Sequence, residues 1–255
     1  MCGLDKPLQN SHIIPRSYFR SLKGKDGQLF VVKADEGNNP KLSNSDPKEK
    51  LLCRDCEQFL SDSYEKYGTR LLKDKNKVKR TEHGVVIKDF KFKQFYLYLI
   101  SILWRASIST IQPYKHIFLS NEINQLLCNQ IKNNSLYIQT PFRLDHIIQI
   151  YLFKLTDKTG TLDDNVIRKV FADINYEKGE NPKDGIVFYF MIDGFLIAYR
   201  FAEEQALDWR SNKKYLGQLI NRKKILVPIN DISDFKQIAD GFNCLSSHAV
   251  DYEKK

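Results

Sequence analysis

A chain of 255 residues, 42% of them hydrophobic and 28% charged, can bury one large core or two small ones, so its stability need not depend on cross-links. Five cysteines, Cys2, Cys53, Cys56, Cys128 and Cys244, are too sparse and too odd in number for a disulfide framework, and a reducing cytoplasm is the expected compartment. A net charge of +9 makes a polyanion the expected partner, because Lys and Arg that neutralise phosphates gain from counterion release.

Met1 to Arg20 is polar throughout and lacks the apolar stretch of an export signal. Within it, Leu8 to Ile14 is expected to be extended, since the residue before Pro15 is pushed out of helical space and Ile13-Ile14 favour a strand. His12 therefore sits on or beside a strand. Arg16, Arg20, Lys23 and Lys25 follow it directly and are the candidate nucleic-acid contacts. Gly24 and Gly27 around Lys25-Asp26 supply turn chemistry before a second strand at Gln28 to Ala34, and Asp35 to Pro47 reads as a loop. Leu51-Leu52-Cys53-Arg54-Asp55-Cys56-Glu57 places two thiols two residues apart at the start of a helix expected over Asp55 to Leu72, the usual construction of one zinc half-site. Lys73, Lys75, Lys77, Lys79 and Arg80 form a basic run that is either a solvated linker or a further phosphate contact.

A division is expected near residue 85. Residues 1–85 hold few apolar residues, and a unit of that size commonly completes its stability with a metal. Residues 86–255 carry the main core. There, Phe95, Leu99, Ile102, Leu103 and Ala106 recur at helical spacing, so Phe92 to Ser109 is a buried helix; Phe95 to Ile111, broken by Arg105 and several serines, falls short of the roughly 20 residues that cross a bilayer. No membrane association is expected. Asn121 to Lys132 and Asp163 to Asp173 also read as helices, and Lys223 to Ile229 as a short strand. Asp193-Gly194 between two apolar runs, Ile186 to Ile192 and Phe195 to Phe201, is the strongest hairpin signal, since a type I′ turn needs positive φ. Asp145-His146-Ile147-Ile148 repeats part of the His12 string, but no proline or cysteine pair follows, and it reads as core or coincidence.

Ser11-His12-Ile13-Ile14-Pro15 followed by Leu52-Cys53-x-x-Cys56 resembles the HNH-type, ββα-metal endonucleases. Together with Ser101-Ile102-Leu103-Trp104-Arg105-Ala106-Ser107, these strings are similar to a group of bacterial HNH-like proteins. The resemblance covers about the first 72 residues and implies an α+β chain, with an N-terminal treble-clef ββα-metal module over 1–85. A mixed helical domain with an antiparallel β-hairpin follows over 86–255. It implies a catalytic Mg²⁺ or Mn²⁺, a structural Zn²⁺ and a phosphodiester substrate, DNA before RNA. His12 matches the general base. Glu57 lies closest to where the family often has Asn or His, and Glu57, Ser61 and Glu65 fall roughly on one helix stripe, so Glu57 and Glu65 are the candidate catalytic carboxylates.

The chain departs from the family at three places. Residue 11 is Ser where Asp or His is common, and the helix lacks the terminal His or Asn. Met1-Cys2-Gly3 matches only the end of a Cys-x-x-Cys-Gly knuckle, so zinc is expected on Cys2, Cys53 and Cys56 with Asp5 as substitute, or with water, or with a ligand upstream of Met1. Three functions follow: an endonuclease, in an anti-phage setting by its resemblance to bacterial nuclease accessories; a non-catalytic zinc-dependent nucleic-acid-binding protein; and a nuclease controlled by residues 86–255 as a sensor, protein-interaction or homo-oligomerisation module.

Overall fold

The computed structural model describes residues 1–22, 29–32, 41–43, 47–178, 185–201 and 216–243. It is a mixed α+β chain with mainly antiparallel sheets. The chain opens with β1 (Leu8–His12), breaks at Pro15 and turns into α1 (Arg16–Leu22). Two short strands, β2 (Leu29–Val32) and β3 (Lys41–Ser43), precede β4 (Lys48–Cys53), so a strand lies inside the expected loop. β1 and β4 pair antiparallel, and β4 runs directly into α2 (Arg54–Leu60). The helix continues through a π-helical turn, Ser61–Glu65, into α3 (Lys66–Leu71).

β5 (Val78–Thr81) and β6 (Gly84–Ile87) form a hairpin, after which α4 (Phe92–Ser107) crosses the centre of the molecule. Its residues are buried almost all round, as befits a helix with apolar side chains on every face. α5 (Asn121–Lys132) starts at a Ser120 N-cap whose hydroxyl accepts from the Ile123 N–H. A small hairpin, β7 (Tyr137–Gln139) and β8 (Phe142–Arg143), leads to a single turn, α6 (Leu144–Ile147), and the long β9 (Ile148–Thr156). The expected helix over Asp163 to Asp173 is shorter. Asp163 caps α7 (Asp164–Lys169), but Val170 onward is strand β10 (Val170–Lys178). β11 (Ile186–Ile192) and β12 (Phe195–Phe201) flank Asp193-Gly194, both at positive φ (51° and 73°), as the turn requires. β13 (Ile225–Val227) and β14 (Ile229–Asp231) divide the stretch read as one strand.

Among the described residues the largest sheet has seven strands in the order β14-β9-β12-β11-β10-β2-β3. Period-two alternation sends Phe188, Phe190, Ile197 and Tyr199 to one face, within the core shared with α4. Tyr189, Met191 and Leu196 go to the other, with Ile167, Ile232 and Phe242. Buried tyrosines lock the α4 side: Tyr96 Oη donates to the Ile148 carbonyl at 2.6 Å and Tyr199 Oη to that of Leu99 at 2.9 Å. Gly68 on α3 lies so close to α4 that a Cβ there would overlap the Tyr98 ring.

The boundary drawn near residue 85 is crossed in three places. β2 pairs parallel to β10, β6 pairs with β13, and one hydrophobic core runs from Ile13 through α4 to Val227. Residues 1–85 and 86–255 share that core. Among the described residues no helix is long and apolar enough to cross a membrane.

Candidate metal centre

Cys53 is the last residue of β4 and the N-cap of α2, and Cys56 lies in the first helical turn. Leu8 pairs with Cys53 across the ladder, so the segment preceding β1 is delivered to the same corner, and Lys6 clips it to α2 through a 2.6 Å ion pair with Asp55. The sulfurs of Cys2, Cys53 and Cys56 all lie within 4.8 Å of one another, and Cys2 and Cys53 are 3.7 Å apart. Tetrahedral zinc with bonds of about 2.3 Å sets its sulfurs about 3.8 Å apart, so this donor set fits zinc. A backbone hydrogen bond at Leu4, then hydrogen bonds from Cys56 and Cys53, hold the Cys2 thiol down to about 7. Burial, then the neighbouring thiols, push Cys56 up to about 12. Of these two thiols, Cys2 is the more ready to ionise.

Asp5 is exposed and is not part of this group, so among the described residues the three thiols stand without a fourth protein ligand. Cys128, half-buried on α5, is also outside it, and Cys244 lies outside the described residues.

At the opposite end of β1, His12 is half-buried, and Ile13, Ile14 and Pro15 behind it are buried. Ser11 is fully buried, and its hydroxyl accepts the Leu52 N–H at 3.1 Å and donates to the Gln9 carbonyl at 3.4 Å. The β1–β4 register slips between Gln9 and Asn10, and the Ser11 hydroxyl supplies Leu52 with an acceptor beside that bulge. Ser11 is thus a structural hydrogen-bonder. By strand alternation His12 faces away from it.

Arg105 of α4, only 1% exposed, explains how the His12 end is held. Its Nη1 donates to the His12 carbonyl at 2.8 Å and lies 2.8 Å from Glu65 Oε1, while Nε donates to the Ser101 carbonyl at 3.2 Å. One buried nitrogen therefore sits between the end of β1 and the Glu65 carboxylate. A second tie runs from Glu49 on β4 to the end of α4, where its carboxylate accepts from Ser109 Oγ at 2.6 Å and from the Thr110 N–H at 2.9 Å. In sequence Arg105 is a lone cation in an apolar run and reads as a satisfied buried or boundary charge; it is buried and paired, with partners too far along the chain for the sequence to name.

Of the two candidate carboxylates, Glu65 is committed to Arg105. It closes the π-helical turn, in which the Lys66 N–H donates to Ser61 five residues back, so the plain helical stripe through Glu57 and Glu65 is interrupted. Such turns are frequent at functional sites. Glu57, in the first turn of α2, is half-buried and its Oε1 is buried with no hydrogen-bond partner among the described residues. Trp104 is buried in the core, where it serves packing.

Beyond Glu65 a groove of about 670 Å³ separates the start of α1 from the helix carrying the π turn. Pro15, Arg16 and Ser17 form one wall, and Glu65, Lys66, Arg70 and Lys73 line the other. Of the expected basic contacts, Arg16 is therefore in the groove and Arg20 is exposed on α1 outside its lining; Lys23 and Lys25 lie outside the described residues. Asp145 and His146 form part of α6, where Asp145 pairs with Arg143 at 2.8 Å.

Compared with protein-family models, curated proteins and solved structures, the chain matches none.

Proposed function

We propose that this chain is a metal-dependent endonuclease that hydrolyses phosphodiester bonds of nucleic acid, DNA in preference to RNA, on an HNH-like treble-clef module. The observation that carries this reading is the arrangement of β1, β4 and α2. A histidine ends one strand of an antiparallel pair, and the other strand hands Cys53 to a helix start that also bears Cys56 and faces Cys2. Zinc held by the three thiols would fix that corner.

His12 is the general base: a neutral imidazole takes a proton from the attacking water near neutral pH. Arg105 holds its backbone, so the ring is presented from a fixed strand end. Glu57 is the carboxylate for a Mg²⁺ or Mn²⁺ ion, because its buried oxygen is not engaged within the described residues and such ions bind through one or two carboxylates while keeping several waters. A divalent ion held there would supply charge stabilisation to the phosphate. Glu65 serves as the counter-charge of Arg105.

The second reading is a zinc-dependent nucleic-acid-binding protein without turnover. It is favoured by the burial of Ser11 and the engagement of Glu65, which leave one carboxylate for the ion. Plasmid nicking separates the two, using wild type and His12→Ala of matched zinc content with Mg²⁺, Mn²⁺ or EDTA. Cleavage that needs the divalent ion and is lost in His12→Ala supports the nuclease. Binding without cleavage under every condition moves the conclusion to the second reading.

A further inference from the structure

The groove beside Glu65 has a composition that neither zinc binding nor core packing requires. Lys66, Arg70 and Lys73 recur at intervals of four and three along one helix and the turn that follows it, so they present one row. Arg16 faces that row from the first position of α1. Lys73 lies 5.0 Å over the ring of Tyr18, itself buried, and this contact fixes the ammonium at the groove's far end. Burial holds its pKa below the ordinary lysine value. Lys66 pairs with Asp62 four residues earlier on an exposed helix face, an attachment that contributes little and that a phosphate can displace. Against these four cations the lining carries two acidic residues: Glu65, already neutralised by Arg105, and Asp74.

We infer that this groove is the track of a single phosphodiester strand, gripped by Arg16, Lys66, Arg70 and Lys73 and led past Glu65 toward His12. The inference rests on the nucleic-acid reading above and adds the surface and the length of strand it holds. From Lys66 to Lys73 the row extends about 10 Å at 1.5 Å per residue. That is the axial length of about three nucleotides in one strand of B-form DNA. The cations meet the backbone and not base edges, so the contact is indifferent to sequence.

The test is equilibrium binding by the full chain to a labelled 20-nucleotide single strand and its duplex, read by fluorescence anisotropy from about 50 to 200 mM salt without added Mg²⁺ or Mn²⁺. The variants are Arg16→Ala/Arg70→Ala and, as a control removing the same charge from exposed positions outside the groove, Lys115→Ala/Lys132→Ala. Each lost phosphate contact lowers the slope of log K against log salt by about 0.9 on duplex or 0.7 on a single strand, and weakens binding about tenfold per contact near 100 mM salt. The groove variant is expected to lose both contacts and the control neither.

Equal behaviour of the two variants, or no binding by wild type, overturns the groove. Tighter binding of either probe by wild type assigns the track to free single strand or to one strand of duplex. The nuclease reading fails separately, through absent cleavage in the plasmid assay while groove-dependent binding persists. Cleavage that needs His12 but ignores Arg16 and Arg70 overturns the groove alone.

Discussion

Replacing Glu65 by glutamine removes the counter-charge of a cation that has almost no access to water. Arg105 is 1% exposed, and its Nη1 lies 2.8 Å from Glu65 Oε1. Taking about 4 Å between charge centres and an effective dielectric of about 20, the attraction is on the order of 4 kcal/mol. Breaking a buried pair by removing one partner costs about 3–5 kcal/mol. Glu65 is 21% exposed, so water can enter from the groove, and the expected loss is about 2–3 kcal/mol. Arg105→Met deletes more contacts, including the bond to the His12 carbonyl. It nevertheless leaves behind a carboxylate that the groove can hydrate, and is expected to cost less, about 1–2 kcal/mol. Glu65→Gln/Arg105→Met should resemble Arg105→Met alone, because the amide then has no stranded cation beside it. Urea unfolding at constant m-value reads all three variants. Costs that add to within about 0.5 kcal/mol, or a Glu65→Gln protein as stable as wild type, would refute a buried pair holding the His12 end of β1.

Two further outcomes concern the thiol corner and Glu49. Wild-type protein should carry one zinc per chain by elemental analysis; Cys53→Ser should bind it more than about a hundredfold more weakly and Cys128→Ser should retain it, and equal zinc in both variants would remove the three-thiol site. Burial works to raise the Glu49 carboxyl, but hydrogen bonds from Ser109, Thr110 and the Ile111 backbone overcome it and hold the group below its ordinary value of 4.5. A lowered native pKa gives stability that is present above the unfolded value and lost as pH falls through the native one. The gap between wild type and Glu49→Gln should thus be full at neutral pH, less than about 1 kcal/mol for a group that solvent still reaches, and shrink as pH falls below about 4.5. A gap that does not change with pH would refute the assignment.

The features legible in the sequence are those written in local chemistry. Asp193-Gly194 announces a turn that needs positive φ, and the observed strands keep the expected limits. The two thiols at the head of α2 are likewise adjacent in sequence, and the third comes from the only other cysteine upstream of them. The hidden features depend on partners far along the chain. Val170 to Asp173 reads as a continuation of α7 until β2 and β11 offer edges on both sides, and the paired strand wins. β9 is an apolar run whose period does not separate strand from buried helix. Ser11 looks like a lost metal ligand because the bulge that employs it lies in the pairing of two strands separated by α1, β2 and β3. Arg105 joins His12 and Glu65 across distances no periodicity can report.

The placement of β2 also bears on how the protein is made. This strand lies between the two strands of the β1–β4 pair, yet its parallel neighbour β10 is encoded more than half the chain later. At roughly 5 to 20 residues per second, a ribosome leaves β2 without that neighbour for on the order of ten seconds. Arg105, which fixes the end of β1, also emerges well after His12. The thiol corner can close early, but the strand end bearing His12 is set only after later segments have arrived. Translation that stops before Arg105 therefore yields a cysteine-bearing fragment in which the end of β1 that carries His12 is not yet held.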